Sequence, residues 1–323
     1  MLLAAIACLF GFGILIWGAD RFVIGAAVSA RLLGVSTLII GLVVVGFGTS
    51  APELLVSATA SLAGNGGLAV GNALGSNISN IALVLGATAL ISPLSLRSET
   101  LRREYPILLL VTLLTFGLVL DGNLGRFDGV LLVAALIVIL IVLAQLAKNS
   151  DSVDPLPEEL DQEIPSDMTG RQASVQLLIG LASLMIGSKA LVWGASTIAS
   201  ALGVSDLVIG LTIVAVGTSL PELAAGIASA RKGEDDLVIG NVIGSNLFNT
   251  LGVLGIPGLL APMTVGNDVL QRDFPLVIGA TLALFLLARG WRGNASLGRV
   301  AGTILLCCFL AYQGHLYWTA AGG

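Results

Sequence analysis

Charge is what this chain has least of: Asp, Glu, Lys and Arg make up 11% of its 323 residues, against about 25% in a soluble domain. That scarcity excludes a water-soluble globule. With 56% hydrophobic residues and a mean hydropathy of +0.98, the chain belongs in a membrane. Cysteine is scarce too. Cys8, Cys307 and Cys308 lie inside apolar runs without metal-ligand spacing, so they read as packing residues with no disulfide or redox role. There is one histidine, His315, and neither HExxH nor GxSxG occurs, which disfavours an intramembrane hydrolase. Met1-Leu2-Leu3-Ala4 lacks the basic stretch of a cleaved signal, so the first apolar run is expected to be retained. The net charge of −5 comes largely from one loop and suggests no nucleic-acid partner.

Runs long enough to span a bilayer fall at 2–33, 36–62, 68–91, 104–120, 127–147, 172–200, 205–230, 237–261, 272–288 and 297–319. The expectation is an all-α polytopic membrane protein with ten transmembrane helices. The first and sixth runs are long and carry Asp20 and Lys189, which read as snorkelling or interhelical polar contacts on tilted helices. Ser36 and Ser205 are candidate N-caps of the second and seventh spans. Loops after the odd-numbered spans hold Arg31, Arg97, Arg102, Arg103, Lys148, Arg171, Arg231, Lys232, Arg289, Arg292 and Arg299, and the opposite loops only Arg126 and Arg272. The positive-inside rule therefore places both termini outside the cytoplasm.

The chain repeats itself at a constant offset of 169: Gly18 matches Gly187, Gly71 matches Gly240, Pro93 matches Pro262 and Pro106 matches Pro275. Five spans per copy is an odd number, so the second copy enters from the opposite face, giving two inverted five-helix repeats. The expected division is 1–147 and 172–323 around an acidic cytoplasmic linker at 148–171. That linker lacks EF-hand spacing and reads as a solvated connection.

The most informative repeat is Gly48-Thr49-Ser50-Ala51-Pro52-Glu53, which returns as Gly217-Thr218-Ser219-Leu220-Pro221-Glu222. Each copy places a carboxylate in an apolar span, where a charge costs roughly 2.5–3.5 kcal/mol. Each proline removes a backbone donor and releases the carbonyl four residues back, Gly48 or Gly217. Carboxylate, threonine hydroxyl and free carbonyl together are ligands of a hard cation such as sodium or calcium. A second repeat follows: Gly71-Asn72-Ala73-Leu74-Gly75-Ser76-Asn77-Ile78-Ser79-Asn80 and Gly240-Asn241-Val242-Ile243-Gly244-Ser245-Asn246-Leu247-Phe248-Asn249. The spacing of four predicts polar ladders Asn72/Ser76/Asn80 and Asn241/Ser245/Asn249, with Gly71 and Gly75 admitting another backbone.

The two motif pairs resemble the alpha repeats of the sodium/calcium exchanger family, within the cation/calcium antiporter superfamily, over nearly the whole chain. The resemblance implies calcium held by Glu53 and Glu222 with the backbone oxygens of Thr49 and Thr218. It implies sodium at Ser50, Ser76, Ser219 and Ser245 with the carbonyls of Gly46 and Ala215, beside Asn80 and Asn249. Asn249 departs from the aspartate frequent at this position, which leaves a proton as the alternative counter-ion. The expectation is an antiporter and not an enzyme, without cofactor, in a bacterial or archaeal inner membrane. Its partners are lipid and the transported calcium, sodium or protons, and one chain suffices for transport. A channel is the rival, disfavoured by the inverted repeat.

Overall fold

The computed structural model describes residues 1–33, 49–95, 99–148, 167–289 and 296–320. The described helices are α1 (Leu2–Leu32), α2 (Ala51–Leu62), α3 (Gly66–Ile91), α4 (Glu99–Val119), α5 (Arg126–Lys148), α6 (Gly170–Leu202), α7 (Asp206–Lys232), α8 (Asp235–Leu260), α9 (Phe274–Arg289) and α10 (Arg299–Ala320). Six helices, α1, α3, α6, α7, α8 and α10, are long and apolar enough to cross a membrane; α4 adds a shorter apolar stretch, Glu104–Val119. The apolar windows of α3 and α8 are 78% buried, against 28% in α10, so α3 and α8 form the centre and the others face outward.

Local chemistry sets the helix ends. Ser205 caps α7 by accepting from Val208 N at 3.3 Å, as expected. Thr169 and Gln172 form a capping box before α6. Gly203 and Gly233, at φ 66° and 82°, end α6 and α7 in a left-handed turn that a side chain would strain. Ser36 lies outside the described residues, as do residues 149–166 of the 148–171 segment.

Two further features position the site. π-helical turns interrupt α3 at Ser79–Val84, α7 at Gly210–Val214 and α8 at Asn249–Val253. Each widens the helix by one residue and turns neighbouring side chains onto a new face. Short strands also join distant segments: β1 (Leu94–Ser95) pairs with β4 (Ser296–Leu297), and β2 (Asn123–Leu124) with β3 (Met263–Thr264).

α1 and α6 are the longest helices, at 31 and 33 residues, and they pack on each other in opposite directions. Glycines seven apart make the contact. A Cβ on Gly11 would lie 2.9 Å from Gly187 O, one on Gly187 3.0 Å from Gly11 O, and one on Gly194 2.6 Å from Ala4 O. Gly18 and Gly180 repeat this against Ser183 and Phe22. Backbones meet because no side chain holds them apart. Gly71 and Gly75 serve the same purpose between α3 and α7, where an added Cβ would strike Leu207 O or sit 2.8 Å from Leu211 Cα. The cysteines divide: Cys8 is buried under α6, but Cys307 and Cys308 are exposed on α10. The packing role expected for those two is therefore corrected, because α10 turns that face away from the core. Asp20 lies 3.9 Å from Arg21, which reaches Gln176 of α6 at 3.5 Å.

Overpacking a close-packed contact costs about 1–3 kcal/mol. Gly180→Ala should accordingly melt several degrees below the parent in detergent. Gly13→Ala, with nothing within 4 Å of the new methyl, should melt unchanged or higher. Thermal melts of the two purified variants check this.

Candidate functional site

The two motif copies adopt one backbone form. Ser50 and Ser219 interrupt their helices at φ/ψ of −86°/1° and −85°/0°, and each is followed by proline in the first turn of the next helical segment. Proline fits there because that turn has no intrahelical use for its missing N–H. The break brings Glu53 and Glu222 into the first turn of α2 and of the Leu220–Lys232 part of α7, with exposures of 1% and 0%.

None of their four carboxylate oxygens has a hydrogen-bond partner among the described residues. No Lys or Arg there pairs with either one. The two are close enough that Glu222 feels the charge of Glu53. Ser50 Oγ and Ser219 Oγ are equally buried and unpartnered, as are Asn80 Oδ1 and both amide atoms of Asn249. Unsatisfied polar groups are rare in folded interiors, and their concentration in the two repeated motif pairs marks a candidate site. The set offers two carboxylates and neutral oxygens with no basic group opposing them. That suits an oxygen-seeking cation that binds and leaves. No group of three or more His, Cys, Asp or Glu able to hold a metal occurs among the described residues, so nothing resembles a zinc or iron centre.

The threonines correct one expectation. Their hydroxyls are committed to protein and do not add to the free oxygens. Thr49 Oγ1 reaches Asn241 Oδ1 and Ser245 Oγ, both at 3.1 Å. Thr218 Oγ1, the hydroxyl beside Glu53, lies 3.1 Å from Val214 O, 3.4 Å from Asn72 Oδ1 and 3.5 Å from Ser76 Oγ. These ties run from each motif copy to the ladder of the other half, and they recur at the offset of 169. A hydroxyl has one proton, so a threonine bonded this way has no O–H left to give a carboxylate, while its backbone oxygen stays separate from these ties.

The ladders also divide by role. Asn72 Nδ2 donates to Glu53 O at 3.1 Å, which makes Asn72 a brace behind the site. Ser76 and Ser245 are fully buried beside the threonines. Asn80 and Asn249 fall within π-helical turns, so helical spacing alone does not place them. Ala215 is buried directly after the π turn of α7. Gly46 and Gly48 lie outside the described residues.

Sequence reasoning passed over Asn77, Asn246, Thr250 and Phe12. Asn77 and Asn246 stand inside both repeats, but their spacing put them off the ladder. Asn77 Nδ2 donates to Thr250 Oγ1 at 2.8 Å, and Asn80 Nδ2 to Asn246 Oδ1 at 3.1 Å. The Phe12 ring of α1 lies directly over Gly217, where a Cβ would overlap it, which explains the glycine opening the second motif.

The family described as "Sodium/calcium exchanger protein" matches residues 3–145 and 173–318. The putative antiporter CaxA of Alkalimonas amylolytica is 49% identical over 317 residues, covering 98% of this chain and 99% of that protein. The inner membrane protein YrbG of Escherichia coli strain K12 is 39% identical over 320 residues, covering 98% of each. A solved structure of the sodium-calcium exchanger NCX_Mj, soaked with 10 mM Na+ and 10 mM Sr2+, superposes with a TM-score of 0.68 at 34% identity, covering 96% of this chain and 97% of that one. The paired motifs, the opposed carboxylates and a match over almost all of its length make this chain a member of the sodium/calcium exchanger family.

Proposed function

We propose that the protein is a secondary active antiporter that exchanges calcium for sodium by alternating access. The observation that carries this reading is the buried pair Glu53 and Glu222, one from each half, with four oxygens that have no hydrogen-bond partner among the described residues. Two ionised carboxylates in an apolar interior repel each other and demand positive charge. One calcium ion supplies it, and so do two or more sodium ions. An unloaded site is costly to carry between the two orientations, so the protein changes orientation only when loaded, and exchange is obligatory. Glu53 and Glu222 hold calcium with the backbone oxygens of Thr49 and Thr218. Ser50, Ser76, Ser219 and Ser245, with the carbonyls of Gly46 and Ala215 and the amides Asn80 and Asn249, hold sodium.

The architecture in this reading is ten spans in two inverted five-helix repeats, 1–147 and 172–323, joined by a cytoplasmic linker at 148–171. Supporting it, the cross-half ties recur at the offset of 169, and each half contributes one strand to each of the two strand pairs. Both termini lie outside the cytoplasm of a bacterial or archaeal inner membrane, and a single chain performs transport. The glycine-locked pair α1 and α6 slides as one body past α2, α3, α7 and α8. The second reading is calcium/proton exchange. It is favoured by the uncharged Asn249, which leaves the site two carboxylates that two protons neutralise.

In proteoliposomes an imposed sodium gradient should drive calcium counter-flow that saturates, and Glu53→Gln should abolish it. A proton gradient that drives the flux while sodium does not would select the second reading, and non-saturating flux would indicate a channel. In detergent, calcium at 100 times its Kd should stabilise the parent by about 2.7 kcal/mol. Glu222→Gln should lose that shift. Thr218→Val should keep it, since its carbonyl remains, while melting lower by about 1 kcal/mol for the lost hydroxyl bond.

A further inference from the structure

The two halves treat their equivalent amides differently. Asn80 and Asn249 are related by the offset of 169, as are Asn77 and Asn246. Symmetry would have Asn246 brace Asn80 and Asn77 brace Asn249, but only the first brace exists. Asn246 Nδ2 lies 3.5 Å from the Asn77 backbone oxygen. A carbonyl oxygen accepts and never donates, so the NH2 of Asn246 must face it. The Asn246 carbonyl oxygen then faces Asn80, whose Nδ2 donates to it at 3.1 Å. This leaves Asn80 Oδ1, fully buried and without a partner, as the end of that amide presented to the site. The arrangement is sealed: Asn77, Asn80 and Asn246 are each at most 1% exposed, so water does not compete for these groups.

In the other half Thr250 intervenes. Its hydroxyl accepts the Asn77 amide at 2.8 Å, and its counterpart in the first half is Ile81, which has no hydroxyl. With the Asn77 amide held there, its Oδ1 has no partner among the described residues, and neither amide atom of Asn249 has one either. It sits at the start of the π turn that packs against α2, the helix bearing Glu53.

We propose that Asn246 and Thr250 are positioning residues that make the two amides unequal: Asn246 holds the Asn80 carbonyl oxygen toward the cation, while Thr250, by capturing Asn77, leaves Asn249 free to turn. Resting on the antiport reading, this gives the two equivalent positions different tasks. Asn80 is a constant oxygen ligand. Asn249 turns its oxygen to a bound cation and its NH2 to the carboxylates when the cation has left, which eases the passage between loaded and unloaded site. A carboxylate could not do this, because it has no donor to offer.

The test uses the full chain in detergent for calorimetric calcium binding and in proteoliposomes for transport. Outer-shell partners of a metal ligand are typically worth 10–100-fold in affinity, so Asn246→Leu should weaken calcium binding at least about tenfold. Thr250→Val should free Asn77 to brace Asn249, tightening calcium binding several-fold and slowing maximal turnover, so that KM and kcat both fall. Thr250→Ser keeps the hydroxyl and should behave as the parent. If Asn246→Leu does not fold, the Thr250 pair still decides. Valine and serine variants with the same KM and kcat would overturn the proposal, as would an Asn246→Leu variant of parental affinity. A parent that binds calcium and exchanges it normally while these variants are unchanged defeats this inference alone; a parent that binds no calcium defeats the antiport reading with it.

Discussion

Two buried carboxylates, none of whose four oxygens has a hydrogen-bond partner within 3.5 Å among the described residues, constrain everything around them. A buried acid is normally met by an arginine, a hydroxyl or a backbone N–H, and any of these would lower the need for a cation. Here the nearby donors are turned elsewhere. The threonine hydroxyls reach across to the opposite half, the Asn72 amide goes to the Glu53 backbone oxygen, and Ser57 Oγ donates to Val253 O at 2.7 Å. The polar groups left without a partner among the described residues include, besides the two carboxylates, the hydroxyls of Ser50 and Ser219, Asn80 Oδ1 and the Asn249 amide.

The rest of the fold makes that surface and then guards it. Helix breaks at Ser50 and Ser219 set both glutamates in a first helical turn, and the π turns in α3 and α8 swing Asn80 and Asn249 inward. α3 and α8, which carry Asn80 and Asn249, are the most enclosed of the membrane-length helices, while Glu53 and Glu222 stand on α2 and α7. α1 and α6 are joined to each other through glycine backbones, and α1 touches the second motif by laying Phe12 over Gly217. α6 also packs on α2, with Ser188 Oγ 3.3 Å from Thr59 Oγ1, so the pair meets the helix bearing Glu53 as well as the second motif.

Most of the site was legible in the chain because it is said twice. A buried glutamate occurring once could be an accident of packing; repeated behind Gly-Thr-Ser-x-Pro at a constant offset, it identifies itself. The close approach at Gly71 and Gly75 could be read from glycines four apart, and the Ser205 cap from its place before an apolar run. The exposed Cys307 and Cys308 were not legible, since an apolar run does not say which of its faces looks outward. Nor were the engaged threonine hydroxyls, which the motif seemed to leave free.

The amino-acid order alone therefore determined the membrane class, the duplication, the family and the candidate residues of the site, because those depend on composition and on spacing within short segments. Tertiary structure alone decided which polar atoms are already satisfied and which remain for a cation. The reason is physical: Thr218 and Asn72, Thr49 and Asn241, Asn80 and Asn246 choose each other across well over a hundred residues of chain, and no local periodicity carries that choice. The same holds for the inequality of the two amides, which rests on one hydroxyl, that of Thr250, meeting an asparagine from the opposite half.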